Sequence, residues 1–275
     1  MLKSQLLIIL LAIAAVIFLF SLPKVVVNNK QPEAQRDKQH ATAPVAEAPK
    51  EPHDVNLSED ALKKINSIRT QFENFSDKEK KLTFADSLAE IFRKFHFYDS
   101  SAKYFSVAAE IAPSVTTWVK AGTAYYEVAS STTDAAKIAA SSEKARELYN
   151  KALLKEPGNL EIKNKIATTY MVNNDAMQAV VILREIVGKD PENKQALTSL
   201  GLLSIQSGQY DKAVGRFEKI LSVDPNDASA WFYLGVAYVS KGDKNKGKSH
   251  LLKAKELSDD PTFDESVDAY MKEIK

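Results

Sequence analysis

The sequence predicts an all-α protein built from repeated helical hairpins, and two observations support that prediction. From residue 57 onward, apolar residues recur with the spacing of amphipathic helices, and strand-like runs bounded by turns are missing. Pro157, Pro191 and Pro225 lie 34 residues apart, and a capping residue, Asn or Asp, follows two positions after each of them. Because proline interrupts a helix and a capping residue starts the next one, this shared period indicates a repeating hairpin.

The composition argues against several classes of function. The 37 basic and 36 acidic side chains leave a formal net charge of +1, so the chain lacks the electropositive character of a nucleic-acid-binding protein. It contains no cysteine, its four histidines are not paired at metal-ligand spacing, and no GxSxG, HExxH or GxGxxG motif occurs. We therefore expect no catalytic residues, no cofactor, no metal and no nucleic-acid partner.

An apolar segment precedes the helical region. Residues 6–22 contain a single polar residue, Ser21, and as a helix they would reach about 25 Å, close to the thickness of a bilayer core. This pattern predicts a transmembrane anchor within residues 1–23; a cleaved secretory signal is the alternative, but no small-residue cleavage site follows the apolar run. Residues 24–56 combine four prolines with alanines and charges and lack aromatic residues, which predicts a disordered linker.

The helical domain is predicted to span residues 57–275 and to begin with a leading helix over 58–75. A helical apolar spacing places four side chains on one face of this leading helix. They are Leu62, Ile65, Ile68 and Phe72.

Two motifs indicate the type of repeat. WFYLGVAY, residues 231–238, has the spacing Wx2LGx2Y, and AVGRF, residues 213–217, is followed by Pro225. In these residues the chain resembles the tetratricopeptide repeat (TPR), a helix-turn-helix unit of about 34 residues. Aligned on the motifs, five units are predicted at about 82–114, 115–159, 160–193, 194–227 and 228–261, followed by a polar capping helix at about 262–275.

The second unit departs from this period. Aligning Tyr125 with Tyr170 and Ala145 with Ala179 leaves eleven additional residues between its two helices, around residues 130–141. Thr133 is the predicted cap of a second helix that starts early, is lengthened and protrudes. Two roles are open for the additional residues: further packing against the first unit, or contact with a partner.

The resemblance implies a right-handed superhelical solenoid whose first helices line a concave groove that binds peptides or helices of other proteins. The family's groove positions fall on mostly apolar or neutral residues, which favours an amphipathic helix or an extended peptide as ligand. These partner-groove candidates are Tyr126, Asn164, Thr168, Met171, Thr198, Leu202, Ile205, Phe232, Val236 and Val239.

Some family members clamp a terminal carboxylate with Lys and Asn. The matching positions here hold Asp86, Glu90, Val119 and Thr123, so the clamp is absent.

A second motif suggests an alternative function. GDKNKGKS, residues 242–249, satisfies the GxxxxGK[ST] pattern of phosphate-binding loops and raises the alternative of a nucleotide-dependent enzyme. Such a loop follows a strand, whereas the segment before it carries the repeat's helix motif. Gly242 and Gly247 also lie one period after Gly208 and Ala213. We therefore interpret the octet as an inter-helix turn and the start of a helix, and expect no nucleotide to bind.

The order of anchor, linker, repeats and polar final helix resembles that of bacterial N-terminally membrane-anchored TPR proteins. This resemblance implies a non-catalytic scaffold or adaptor of the bacterial envelope, with its domain in the periplasm. The positive-inside rule favours the cytoplasm instead, because Lys3 precedes the anchor and four basic residues follow it by residue 38. A self-associating structural repeat is a further alternative.

Overall fold

Helical hairpins make up the described part of the chain, residues 59–274 of a computed structural model, in which twelve helices and no strand occur. The all-α prediction is confirmed for these residues. The predicted anchor at residues 6–22 and the predicted linker at 24–56 lie outside them. Within 59–274, no helix combines the length and the apolarity that a bilayer crossing requires.

A leading helix and a final helix flank five hairpins. Units 1 to 5 are α2–α3, α4–α5, α6–α7, α8–α9 and α10–α11; we call the even-numbered member of each pair its first helix and the odd-numbered member its second helix. The twelve helices are α1 (Glu59–Asn74), α2 (Lys78–Lys94), α3 (Tyr98–Ile111), α4 (Val115–Ser130), α5 (Ala135–Lys155), α6 (Leu160–Val172), α7 (Ala176–Lys189), α8 (Lys194–Gln206), α9 (Tyr210–Val223), α10 (Ala228–Lys241), α11 (Lys244–Glu256) and α12 (Pro261–Glu273).

Side-chain caps start the first helices of units 3 to 5 at the predicted positions. Asn159, Asn193 and Asp227 each accept a hydrogen bond from the backbone N–H three residues later, at 3.1, 3.1 and 2.9 Å. Each cap satisfies an N–H group that has no acceptor within its helix, which contributes about 1 kcal/mol. The residues that set the 34-residue period are therefore the residues that start the helices.

The turn inside the hairpin repeats with the same period. Its left-handed residue is Asn174 in unit 3, Gly208 in unit 4 and Gly242 in unit 5, with φ of 57°, 71° and 100°. In unit 4 the N–H of Gly208 donates to the carbonyl of Ile205 at 3.1 Å, and the following N–H donates to the carbonyl of Ser204 at 2.8 Å. These paired bonds satisfy the last carbonyls of the first helix, and only glycine adopts the required backbone conformation without a steric penalty.

Each of the last two hairpins closes where a glycine faces a large side chain. Gly201 in α8 lies against the ring of Phe217 in α9, and Gly235 in α10 lies against Leu251 in α11. A Cβ atom on Gly235 would lie 2.8 Å from Cγ of Leu251, and one on Gly201 would overlap the Phe217 ring. Both large side chains are fully buried. These small residues therefore let the paired helices approach closely.

The first helices form the inner layer of the stack. Contacts join the first helices of neighbouring units, α4 to α6, α6 to α8 and α8 to α10. Within residues 59–274, no contact of comparable extent joins the second helices of neighbouring units. The first helices therefore lie closer together than the second helices, so the array curves around the face that the first helices present.

The insertion in unit 2 lengthens both of its helices. Helix α5 has 21 residues against 14 in α7, as predicted, but α4 also has 16 residues against 13 in α6. Asp134, not Thr133, caps α5, because its carboxylate accepts from two backbone N–H groups at 2.9 and 3.2 Å. In the added turn, Lys137 donates to Asp99 of unit 1 at 2.8 Å. This contact favours packing against the first unit over a free protrusion.

The leading helix buries a narrower face than predicted. Ile65 is 2% exposed and packs with Ile68 and Phe72 against unit 1. Leu62 is 44% exposed and does not share in this contact. The first turn of α1 therefore contributes little buried apolar surface.

Alanine substitutions at two glycines of unit 4 should have opposite effects on the free energy of unfolding. Gly201→Ala should destabilise by about 1 to 3 kcal/mol, because the fully buried Phe217 ring leaves no room for a methyl group. Gly215→Ala in α9 should stabilise by up to about 1 kcal/mol, because a Cβ there meets no atom within 4 Å and alanine favours the helix. Urea unfolding followed by circular dichroism measures both. A Gly201→Ala variant as stable as the wild type would refute the close contact.

Candidate protein-binding groove

A stripe of half-buried side chains occupies one corresponding position on the first helices of units 2 to 5. This inner stripe consists of Thr123, Thr168, Leu202 and Val236. In α8, Leu202 shares its face with Thr198 and Ile205, which lie four residues before it and three after it. All three are half-buried. The inner face is thus neutral in units 2 and 3 and apolar in units 4 and 5.

Three predicted groove residues, Ile205 among them, also connect neighbouring units. Tyr126 packs against the cluster that contains Ile162 and Ile166 in α6. Met171 packs in the same way against α8, and Ile205 packs against the cluster shared by α9 and α10. Each remains half-buried. These side chains therefore contribute to the stacking of units and expose only their remaining surface to a ligand.

Asn164 has a structural role in place of the predicted groove contact. Its side chain is 2% exposed, and its Nδ2 donates to Oδ1 of Asn193 at 3.1 Å. Asn193 is the cap of α8, so the bond joins unit 3 to the start of unit 4. Burial leaves Asn164 without a surface for a ligand.

Helix α12 covers two further candidates. The Phe232 ring makes edge-to-face contacts with Phe263 and Tyr270, with centroids 5.8 and 5.9 Å apart. Val239 packs in the same cluster, which centres on the fully buried Val267 of α12. Phe232 and Val239 therefore hold the final helix, and the groove surface of unit 5 reduces to Val236 and its surroundings.

Charged residues mark the opposite end of the inner face. Asp86 of α2 pairs with Lys120 of α4 at 2.5 Å, and Arg93 lies 3.1 Å from Glu90 and 3.8 Å from Glu127. Burial raises the pKa of the Glu127 carboxyl, while Arg93 opposes the rise and Glu90 adds to it. In the described residues, Oε2 of Glu127 is buried without a hydrogen-bond donor. Three carboxylates thus share two cations at this end.

The octet GDKNKGKS forms a helix-turn-helix segment and not a phosphate-binding loop. Gly242 ends α10, and Asp243 caps α11 by accepting from the Lys246 N–H at 3.1 Å. Gly247 is buried in the contact with Val239, and Lys248 is exposed on the outside of α11. A carboxylate therefore occupies the helix terminus at which a phosphate would bind.

A cavity outside the groove was not foreseen from the sequence. It has a volume of about 470 Å³ and lies between the second helices α3 and α5, above α4. Trp118 and Tyr125 form its aromatic wall, and the ammonium of Lys144 lies 5.1 Å from the centre of the Tyr125 ring. The two aromatic residues carry the repeat signature, so their spacing alone assigns them to the core and does not reveal the open space beside them.

Comparison with known proteins identifies the architecture. A model of the cilia and flagella-associated protein 70 middle TPR-like domain matches residues 127–258. A solved tetratricopeptide repeat protein from Parabacteroides merdae superposes with a TM-score of 0.60 at 17% identity, over 78% of this chain and 82% of that one. The described residues therefore have the tetratricopeptide repeat fold.

Two other solved structures align with this chain at 17% and 20% identity. MamA from Desulfovibrio magneticus aligns with a TM-score of 0.50 and 17% identity, over 64% of this chain and 94% of its own. YrrB, described as a TPR protein with an unusual peptide-binding site, aligns with a TM-score of 0.45 and 20% identity, over 77% and 98%. A search of curated protein sequences finds no match.

The raised pKa of Glu127 predicts a pH-dependent effect of Glu127→Gln. Below about pH 4.5 the carboxyl is protonated in the folded and unfolded states, so the folded state carries no cost for a buried charge. As pH rises through the higher folded-state pKa, the carboxyl ionises and this advantage in the free energy of unfolding is lost. The thermal midpoint of Glu127→Gln should therefore exceed that of the wild type at pH 7, and the difference should vanish near pH 4.

Glu110→Gln, at an exposed carboxylate of α3, is the matched control and should shift the midpoint little at either pH. A lower midpoint for Glu127→Gln at pH 7 would mean that attraction to Arg93 outweighs the cost of burial.

Proposed function

We propose that this TPR protein is a non-catalytic adaptor that holds a segment of a partner protein along its inner face. The apolar end of that face supports the proposal. Leu202, Ile205 and Val236 each remain half-exposed on adjoining first helices, although the neighbouring positions of the same helices are buried. Apolar side chains at this spacing suit the apolar face of an amphipathic helix or the alternate side chains of an extended peptide.

The charges at the other end suggest the orientation of the ligand. Asp86, Glu90 and Glu127 share Lys120 and Arg93, which leaves one negative charge uncompensated in this group. A basic side chain in the partner would balance it and would also supply a donor to the Glu127 carboxylate. The proposed ligand therefore presents apolar residues to units 4 and 5 and a basic residue to units 1 and 2.

We also propose that residues 6–22 anchor the protein in a membrane, that residues 24–56 form the linker, and that the TPR domain faces the periplasm. The apolar run and the proline-rich composition support the first two assignments. The periplasmic location follows from the resemblance to anchored bacterial TPR proteins. In this position the adaptor would present its inner face to partners in the envelope.

Leu202→Glu should weaken partner capture by at least about tenfold, because it places a carboxylate in the apolar half of the groove. The variant is compared with the wild type by crosslinking and affinity capture from native membranes, with quantification of the captured proteins. Val181→Glu is the matched control, because it makes a similar change at a residue that is 64% exposed on the second helix α7.

Circular dichroism should show that both variants remain helical. Equal capture by Leu202→Glu and the wild type would exclude the inner face of unit 4 as the binding surface. Loss of capture by Val181→Glu alone would place the surface on the second helices.

Fusion of a reporter after Lys275 tests the proposed location. Alkaline phosphatase folds to its active form in the periplasm, so this fusion should be active, whereas a fluorescent protein that matures only in the cytoplasm should stay dark. The same fusions made without residues 1–23 should reverse the two signals. Fluorescence from the full-length fusion would instead favour the cytoplasmic alternative of the positive-inside rule.

A further inference from the structure

A small polar pocket lies between the second helices of units 3 and 4, on the side of the array away from the inner face. Its volume is about 60 Å³, which is room for about two water molecules or one small polar group. Arg184 of α7 and Arg216 of α9 reach it from its two sides. The rest of the lining comes from Val180, Leu200, Leu203, Ser204, Ser207 and Gln209.

The two arginines meet there without a carboxylate. Among residues 59–274, neither guanidinium forms an ion pair with an acidic side chain. Arg216 donates to the carbonyl of Leu200 at 2.9 Å and to the hydroxyl of Ser204. Burial and the nearby Arg184 charge lower the pKa of Arg216, and no acid opposes this effect. The pocket therefore concentrates two positive charges.

Comparison between the repeats shows that unit 4 differs where the pocket forms. Ser204 occupies the position that holds Tyr170 in unit 3 and Tyr238 in unit 5, each 34 residues away. A tyrosine ring at residue 204 would fill the space that the Arg216 side chain enters to reach the Ser204 hydroxyl. The smaller side chain therefore opens the pocket.

The acidic residues of the other units are also replaced. Gln209 stands where units 3 and 5 have Asp175 and Asp243, which cap α7 and α11. Gln209 makes no side-chain cap to α9. One period after Arg184 the chain has Glu218, which accepts from the Tyr238 hydroxyl at 3.3 Å. The interface between units 3 and 4 thus lacks both acids that its neighbour has.

We infer that this pocket binds a phosphate group, either free phosphate or a phosphate carried by a side chain of a partner. The pocket offers two guanidinium groups and the Ser204 hydroxyl to one small anion, whereas the Ser207 hydroxyl already donates to the carbonyl of Leu203. A phosphate monoester carries close to two negative charges and so balances both arginines, and guanidinium forks match its oxygens in bidentate fashion. Since the pocket lies on the second-helix side, such a ligand leaves the inner face free.

Isothermal titration of the full chain in detergent with inorganic phosphate, at ionic strength held constant with chloride, tests the inference. One phosphate should bind saturably per chain. Arg184→Gln should weaken binding by at least about tenfold, because it removes a charged donor at an exposed position that the fold does not need. Lys248→Gln removes the same charge from the phosphate-loop-like octet and should leave binding unchanged.

Gln209→Asp separates binding from folding. It restores the cap of units 3 and 5 and should keep or raise the thermal midpoint, while its carboxylate offsets one of the two positive charges and lowers phosphate affinity at least about tenfold. Capped Ala-phosphoserine-Ala, compared with its unphosphorylated form, distinguishes the two sources of phosphate. Tighter binding of the phosphotripeptide than of inorganic phosphate points to a phosphorylated partner, and the reverse order points to the free ion.

The inference is overturned if neither probe binds saturably at millimolar concentration. It is also overturned if Arg184→Gln and Gln209→Asp bind like the wild type, or if Lys248→Gln is the variant that loses binding.

Discussion

The close approach of the two helices within a hairpin is the constraint on which the rest of the structure depends. In unit 4 this approach requires that Gly201 have no side chain, because the Phe217 ring occupies the space in front of it. The same pair of positions holds Gly122 and Tyr149 in unit 2 and Gly235 and Leu251 in unit 5. A hairpin held at this short distance has a fixed shape, so copies of it stack with a regular geometry.

The surfaces of the molecule follow from that stacking. First helices touch from unit to unit, so the positions of the inner stripe lie together on one face. Residues such as Leu202 stay accessible there although their neighbours are buried. Second helices diverge and leave gaps, of which one is a wide cavity beside Trp118 and another is the narrow pocket of Arg184 and Arg216. The two kinds of surface differ in chemistry, because the inner one is apolar or neutral over units 3 to 5 and the pocket is cationic.

Local features of the sequence predicted the fold well, and contacts between units limited the prediction of the site. Caps such as Asn193 and turns such as Gly208 act within a few residues, so their spacing reveals the helix order directly. The groove assignment of Asn164 did not foresee its burial, because its partner Asn193 lies 29 residues away on the next unit. Phe232 likewise has the right position on its helix, but α12 lies on it.

No sequence motif marks the pocket of Arg184 and Arg216. It could be recognised in the sequence only because residues of unit 4 differ from the residues at the same positions of the other repeats. Ser204 and Gln209 are ordinary residues in isolation and become informative only when they are set beside the tyrosines and aspartates one period away. A repeat protein contains its own set of aligned relatives, and differences within that set are evidence of local specialisation. The octet at residues 242–249 shows the converse, since its resemblance to a phosphate loop disappears when the same positions in other units are considered.

The packing of α12 on Phe232 and Val239 also determines how far the inner face extends. Val239 stands at the position through which units 2 to 4 contact the next first helix, where those units have Tyr126, Met171 and Ile205. The polar helix α12 in that place covers the apolar end of the stack. The length of the inner face, and with it the length of the proposed ligand that could lie along it, is set by where α12 begins.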